Sequence, residues 1–200
     1  MAEALKEIYN RAFLKQLAQV LQNAHSEFDP NAFVSFFKPA DWKKLELMQR
    51  VDAISDGLKE FLPRDYKTAV QILVNASSEF SRYEYIIFPD FVAKFGLHDY
   101  KTSFRALEQL TCYSTSEFAI RTFLVKDPER TMKQMLKWSR HKNEHVRRLA
   151  SEGCRPRLPW ASALNEFKKD PSPILPILEN LKQDESEYVR RSVANNLNDI

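Results

Sequence analysis

The stretch DPERTMKQMLKWSRHKNEHVRR, residues 127–148, decides the fold, because its landmarks recur at residues 170–191 as DPSPILPILENLKQDESEYVRR. The Asp-Pro pairs that open the two stretches lie 43 residues apart, and so do the Val-Arg-Arg triplets that close them. Aspartate followed by proline favours a helix start, since the carboxylate caps free N–H groups and proline lacks the N–H that would stay unbonded there. A period of about 40 to 47 residues is typical of HEAT repeats, which are helix pairs. The sequence therefore predicts an all-α protein, a HEAT-like α-solenoid.

Other positions of the two stretches match at the same spacing. Three apolar positions of the first helix, expected in the core, correspond between the units: Met132 with Leu175, Met135 with Leu178, and Trp138 with Leu181. A weaker copy, EFAIR at residues 117–121, precedes EHVRR at residues 144–148 by 27 residues. Chance similarity between two amphipathic helices is the alternative, but several independent features share the one spacing.

The rest of the chain is also predicted to be helical, because glycine is scarce and apolar residues recur at intervals of three and four. The expected helices upstream of the repeat span residues 3–22, 30–38, 42–61, 66–76, 82–95, 99–111 and 116–125. We expect residues 1–200 to form a single HEAT-like repeat domain. We also expect it to be truncated at its C-terminal end, since the sequence stops at Ile200 without the polar capping repeat that a solenoid needs.

Composition excludes several classes of protein. No stretch approaches the roughly 20 apolar residues of a membrane span, and the first residues are charged, which favours a cytoplasmic protein without a membrane partner. Two lone cysteines cannot build a disulfide framework. The glycine-rich motifs of nucleotide-binding and hydrolase sites are missing, and the chain has three glycines in all. We expect a monomer that uses no cofactor.

The segment HKNEH, residues 141–145, matches the H-x-x-E-H zinc motif, which needs both histidines on one face of a continuous helix. Asn143 is instead expected to cap the helix that carries residues 146–153, which leaves His141 in the preceding turn. The sequence therefore predicts no metal site here.

Basic residues are concentrated in the second half of the chain. Residues 1–100 carry a net charge of −2 and residues 101–200 a net charge of +5, with six basic and two acidic residues between 140 and 157. Arginines at one position of successive repeats line one surface of a solenoid, so the pattern predicts a surface for a polyanion. A solvated helix face, or an arginine paired with an acid of the next repeat, is the alternative.

Three segments carry a more specific resemblance: TSEFAIR at residues 115–121, HVRRLASEGCRPRLPWA at residues 145–161, and VRRSVANNLNDI at residues 189–200. Together they resemble the bacterial DNA alkylation repair glycosylases built from HEAT-like repeats, and the AlkC branch more closely than its AlkD relative. The resemblance covers residues 80–200 by motif and the remainder by its helix pattern.

The resemblance implies a DNA glycosylase that excises cationic N3-alkylated bases, chiefly 3-methyladenine, by hydrolysis of the N-glycosidic bond. Its partner would be double-stranded DNA containing alkylated bases. Carried over by position, Glu117, Trp160 and Asp199 would be the catalytic groups. The transition state places positive charge on the deoxyribose, which a carboxylate stabilises by Coulomb attraction and an aromatic face by a cation–π interaction.

The same resemblance implies that the lesion is reached from a concave basic surface, without the deep pocket that most glycosylases use for a flipped base. Arginines would hold the phosphates on either side of the lesion. The arginines so assigned are Arg147, Arg148, Arg155, Arg157, Arg190 and Arg191.

Each catalytic assignment has a structural alternative. Glu117 also fits an N-terminal acid stabilised by the helix macrodipole, Trp160 a loop residue packed on the core, and Asp199 a solvated residue at a frayed end. The alternative function is a non-catalytic HEAT-repeat scaffold that binds nucleic acid or an acidic protein. A glycosylase predicts that Glu117 and Trp160 are both partly exposed on the surface that carries Arg147 and Arg190. Burial of either one in the core favours the scaffold.

Overall fold

The computed structural model describes residues 5–79 and 83–200. The chain divides into two compact units, Met1–Ala106 and Leu107–Ile200. Short 3-10 helices at Leu5–Ile8 and Tyr83–Ile86 precede α1 and α6. The α-helices of the described part are α1 (Arg11–Ala24), α2 (Pro30–Phe36), α3 (Pro39–Trp42), α4 (Leu47–Phe61), α5 (Tyr66–Ser77), α6 (Ile87–Phe95), α7 (Tyr100–Leu110), α8 (Glu117–Lys126), α9 (Pro128–Trp138), α10 (Glu144–Glu152), α11 (Asn165–Lys169), α12 (Leu175–Leu181) and α13 (Glu187–Asp199).

The predicted all-α class is confirmed, since residues 5–79 and 83–200 contain no strand. In those ranges, no helix combines the length and the apolar character needed to cross a membrane. Helices α2, α5, α7 and α8 agree with their predicted bounds to within two residues. The helix starts predicted at residues 3 and 82 lie outside the described residues.

Two predicted helices of the first unit begin later than expected, because a local side chain caps a later residue. The Asn10 side chain accepts the Phe13 N–H at 3.0 Å, which starts α1 after a separate 3-10 turn. The helix predicted from residue 42 is interrupted, and α4 begins behind Glu46, whose N–H donates to Gln49 Oε1 at 2.8 Å. Apolar residues at intervals of three and four predict both helices, but the caps decide where they start.

Gly96 follows α6 at a point where neighbouring groups crowd its α-carbon. Tyr66 Oη and Ser103 Oγ are hydrogen-bonded at 2.7 Å, and Ser103 Oγ donates to the Gly96 carbonyl oxygen at 2.9 Å. A Cβ on Gly96 would overlap both hydroxyls and lie 2.5 Å from the Val92 carbonyl oxygen. Helix α6 can approach Tyr66 and Ser103 this closely only because residue 96 has no side chain.

We expect Gly96→Ala to lower the free energy of unfolding by about 1–3 kcal/mol, since overpacking forces the neighbouring groups to move. The midpoint of urea denaturation measures this loss. Ser103→Ala removes one of the overlapping hydroxyls, so the double variant should lose less stability than the sum of the two single losses. Strictly additive losses would show that overlap with the Ser103 hydroxyl does not cause the loss of stability in Gly96→Ala.

The 43-residue repeat forms two helix pairs in the second unit, as predicted. Helix α9 packs on α10 and α12 on α13 within the pairs, and α10 packs on α12 and α13 between them. Asp127 caps α9 by accepting the Arg130 N–H at 3.1 Å, and Val146 and Val189 are fully buried at equivalent positions. The predicted core positions that the structure buries are Met135, Trp138, Leu178 and Leu181, and Met132 is half-buried.

The helix start predicted at Asp170 is wrong. Asp170 accepts the Ser172 N–H at 3.0 Å in a local turn, and α12 begins only at Leu175. Pro173 explains the delay, because proline disfavours the α conformation of the residue before it. The late start also changes which residue is buried. Leu175, which was predicted to lie in the core, is 45% exposed, and Ile174 is buried instead.

Candidate active site

Glu117 is the first residue of α8, and it is 7% exposed. Its carboxylate accepts a hydrogen bond from Arg148 Nη1. Burial raises the pKa of Glu117, and the charge of Arg148 opposes that rise. The expected partial exposure of Glu117 is therefore wrong, although the buried carboxylate is ion-paired.

Arg148 serves two carboxylates at once. Its Nη2 atom lies 3.4 Å from Glu152 Oε1, while Nη1, which bonds Glu117, also donates to Thr115 Oγ1 at 3.2 Å. The guanidinium carbon lies 5.1 Å from the centre of the Tyr188 ring, within the range of a cation–π interaction. Because Arg148 also serves Glu152, Glu117 does not hold this positive charge alone and keeps part of its attraction for a further cation.

Glu152 lies between two arginines and is itself buried. Its Oε1 atom accepts from Arg155 Nη1 at 2.7 Å, and Oε2 accepts from the Ser192 hydroxyl at 2.6 Å. Arg155 Nε in turn donates to Asp199 Oδ2 at 2.8 Å. Both arginines, which the resemblance assigns to phosphates, pair here with carboxylates. We call the series the acid–arginine chain; in order, its members are Glu117, Arg148, Glu152, Arg155 and Asp199.

Asp199 lies on α13 and forms an ion pair with Arg155 at 2.8 Å. The Arg157 N–H donates to the same carboxylate at 3.4 Å. The side chain is 12% exposed. A solvated residue at a frayed end does not fit these contacts, so Asp199 is a fixed member of the acid–arginine chain.

Trp160 lies on the loop between α10 and α11, and it is 63% exposed. Packing on the core, the structural alternative for this residue, does not fit that exposure. Its backbone φ of 62° is in the left-handed region, which costs a bulky residue roughly 1–2 kcal/mol. Such a conformation persists only where the surrounding structure enforces it.

Arg147 does not offer free donors to a phosphate, because it is 8% exposed and its guanidinium is bonded within the protein. Nε and Nη2 donate to Asp184 at 2.6 and 2.9 Å, and Nη1 donates to the carbonyl oxygens of His141 and Lys142 at 3.0 Å. Asp184 belongs to the next repeat. The predicted DNA contact of Arg147 is therefore wrong. Arg147 instead bonds an acid of the next repeat, which was the alternative stated for these arginines.

The remaining arginines of the predicted DNA surface are exposed; they are Arg157, Arg190 and Arg191. Arg190 Nη1 donates to the carbonyl oxygens of Asp184 and Glu185 at 2.6 and 2.9 Å. Arg191 forms an exposed ion pair with Glu187 at 2.7 Å, which contributes little to stability. These side chains remain accessible to phosphate.

Asn143 caps α10 as predicted, since its side chain accepts the His145 N–H at 2.8 Å. His141 Nδ1 accepts the Asn143 N–H at 3.0 Å, so the two histidines lie on either side of a helix start. Within residues 5–79 and 83–200, no cluster of three or more His, Cys, Asp or Glu side chains could hold a metal ion.

Sequence reasoning missed three residues of this region. Glu152 follows Arg148 by four residues and precedes Arg155 by three, the spacings of helical ion pairs, and this signal could have found it. Arg121 precedes Arg148 by 27 residues in the weaker copy of the repeat. No pattern in the sequence singles out Tyr188, whose ring contact with Arg148 depends on how two repeats pack.

The fold and the acid–arginine chain define the class: a HEAT-like-repeat protein whose second unit holds buried acids paired with arginines, and a loop that exposes a tryptophan. No family model matches the chain. The uncharacterized protein YhaZ of Bacillus subtilis (strain 168) is 50% identical over 196 residues, which cover 98% of this chain and 55% of that protein.

A solved structure, the Pseudomonas fluorescens alkylpurine DNA glycosylase AlkC bound to DNA containing an abasic site analog, is similar with a TM-score of 0.96 and 42% identity. The match covers 100% of this chain and 56% of that one. The resemblance to the AlkC branch is thus confirmed along the whole of this chain. The chain spans about half the length of the relatives that it matches.

Proposed function

We propose that this chain acts as a DNA glycosylase that excises cationic N3-alkylated bases, chiefly 3-methyladenine, by hydrolysis of the N-glycosidic bond in base excision repair. Its substrate would be double-stranded DNA containing alkylated bases, and its working form a monomer in the cytoplasm. The observation that carries the proposal is the acid–arginine chain, which joins Glu117 and Asp199 in one network. The match to AlkC, which covers 100% of this chain and 56% of that one, supports the same function.

The proposed chemistry requires stabilisation of a cation. A base alkylated at N3 already carries a positive charge and leaves readily, while the deoxyribose becomes an oxocarbenium ion. Glu117 shares its guanidinium partner with Glu152, so it keeps part of its attraction for a further cation in a setting that excludes water. We assign to Glu117 the stabilisation of the sugar cation, and to Asp199 a second carboxylate that can orient the attacking water.

Trp160 is assigned the aromatic surface of the site. An exposed indole attracts a cationic base or sugar through its π-face and offers a stacking platform without a deep pocket. Its fixed left-handed backbone supports this role, because a platform is useful only when it is held in place before the substrate arrives.

The exposed arginines predict a salt-dependent affinity for DNA. Each phosphate that a protein neutralises contributes about −0.9 to the slope of log K against log salt concentration, so Arg157, Arg190 and Arg191 together give a slope of about −3. Fluorescence anisotropy with a labelled duplex between low and moderate salt measures this slope, and Arg190→Gln should reduce its magnitude by about 1. A slope near zero would remove the arginine surface from the proposal.

A non-catalytic scaffold is the second candidate, and the burial of Glu117 favours it. The two candidates separate when the protein is incubated with methylated duplex DNA and the free bases are measured by mass spectrometry. The glycosylase releases 3-methyladenine above the protein-free rate. Retention of the DNA without any release would identify the scaffold.

A further inference from the structure

Arg121 is a buried residue of α8 that the proposed chemistry does not use. Its Nη1 atom donates to the carbonyl oxygens of Gly153 and Arg155 at 3.2 and 2.7 Å, and Nη2 donates to the Ser162 carbonyl oxygen. These carbonyl groups belong to the two ends of one segment, residues 153–162. One guanidinium therefore bridges the start and the end of this segment, which we call the tryptophan loop because it carries Trp160.

The burial of this cation is costly. The hydrogen bonds described for Arg121 all end on backbone carbonyl oxygens, which compensate a buried charge less well than a carboxylate does. Burial lowers the pKa of Arg121 to about 10, so the side chain is still charged at neutral pH. The described contacts that offset this cost are the carbonyl groups of Gly153, Arg155 and Ser162.

The tryptophan loop needs such a restraint. Trp160 holds a left-handed backbone conformation that a tryptophan adopts only under constraint. The start of this loop is bonded to α10, since the Gly153 N–H donates to the Leu149 carbonyl oxygen at 3.0 Å and the Arg155 N–H to the Glu152 carbonyl oxygen at 3.3 Å. Around Trp160, the described backbone bonds run from the Ala161 N–H to the Leu158 carbonyl oxygen at 3.2 Å and from the Leu164 N–H to the Pro156 carbonyl oxygen at 3.0 Å. Without Arg121, the segment on either side of Trp160 would lose the bonds that join its ends.

We infer that Arg121 is a positioning residue: by bridging both ends of the tryptophan loop, it fixes the backbone that presents Trp160 to the DNA. The catalytic consequence rests on the proposed function of Trp160, whereas the structural consequence does not. Arg121 contacts neither base nor sugar in this scheme, and the inference is that it affects base release through the position of Trp160.

The first experiment does not depend on activity. The protein is labelled with 5-fluorotryptophan, and the fluorine NMR signals of Trp42, Trp138 and Trp160 are assigned by single Trp→Phe substitutions. In Arg121→Met, we expect the Trp160 signal alone to shift or broaden, while the buried Trp138 in the same unit reports intact folding. An unchanged Trp160 signal would overturn the inference.

Two further variants keep this experiment decisive. Lys126→Met removes an exposed cation from the same helix and should leave the Trp160 signal in place. Arg121→Lys retains the charge, but a single ammonium group cannot span both ends of the loop, so it should still perturb Trp160. If Arg121→Met fails to fold, Arg121→Lys decides alone, and a wild-type Trp160 signal in it would refute the bridging role.

The second experiment tests whether Arg121 affects base release through Trp160. Arg121→Met should slow release of the alkylated base by about as much as Trp160→Ala, roughly 10-fold or more, with little change in DNA affinity. The double variant should be less than about 3-fold slower than Trp160→Ala alone, because coupled residues do not act additively. Fully additive losses would contradict positioning through Trp160. If the wild-type protein released no base, the proposed function would fail, and the fluorine signals would still decide the inference about Arg121.

Discussion

Replacing Glu117 with glutamine is expected to slow base release by about 100- to 1000-fold, the loss seen when one preorganised electrostatic group is removed from an active site. Glutamine has the same shape and can still accept a hydrogen bond from Arg148, so the fold should be retained. What disappears is the negative charge that faces the developing sugar cation. Single-turnover release of 3-methyladenine from alkylated duplex DNA measures the change.

Glu144 provides a matched control for this substitution. It is the first residue of α10, as Glu117 is of α8, but it is exposed and lies outside the acid–arginine chain. Glu144→Gln should therefore release base at the wild-type rate. Equal effects of the two substitutions would show that the loss reflects a helix N-terminus rather than the site.

The same assignment predicts a pH dependence. Burial raises the pKa of Glu117, so the carboxylate begins to protonate at a higher pH than an ordinary glutamate does. Because only the ionised form attracts the cation, release should fall as the pH is lowered through this raised pKa. Glu117→Gln should lack this fall, after correction for the protein-free release that acid itself causes.

Replacing Trp160 with alanine is expected to slow release by about 10- to 100-fold, since a stacking or cation–π contact is worth roughly 1–3 kcal/mol. Alanine keeps the Cβ atom, so the strained left-handed backbone is unchanged and the loss reports the indole ring alone. The measurement is again single-turnover release, with DNA affinity determined in parallel.

Two variants check the role of the ring. Trp160→Phe keeps an aromatic face and should recover part of the rate. Tyr113→Ala removes another exposed aromatic ring of the same unit and should have no effect. A wild-type rate in Trp160→Ala would exclude Trp160 from the chemistry.

The helix pairs could be predicted because their causes are local. Asp127 and Asn143 cap helices through their own side chains, and Val146 and Val189 repeat at one face of equivalent helices. Leu175 shows the limit of this approach, since it has the spacing of a core residue. A turn that starts at Asp170 delays the helix and leaves Leu175 exposed.

The bonding partners of the arginines could not be predicted from their spacing in the sequence. Arg147 and Arg148 are adjacent, but successive helix residues point about 100° apart. Arg147 therefore reaches Asp184 of the next repeat, while Arg148 reaches Glu117 at the start of α8. Which acid lies opposite each arginine depends on how the helices stack, so the pairing of Glu117 with Glu152 through Arg148 becomes apparent only in the folded protein.

We propose that this helical-repeat protein removes a base because the base is cationic. The most direct test offers the protein two duplexes that differ at one position, one with 3-methyladenine and one with its uncharged isostere 3-deaza-3-methyladenine, and measures free base by mass spectrometry. Release of the cationic base above the protein-free rate, with none of the neutral isostere, is the predicted result. No release of 3-methyladenine, or equal release of both bases, would show that the positive charge of the base does not drive its removal.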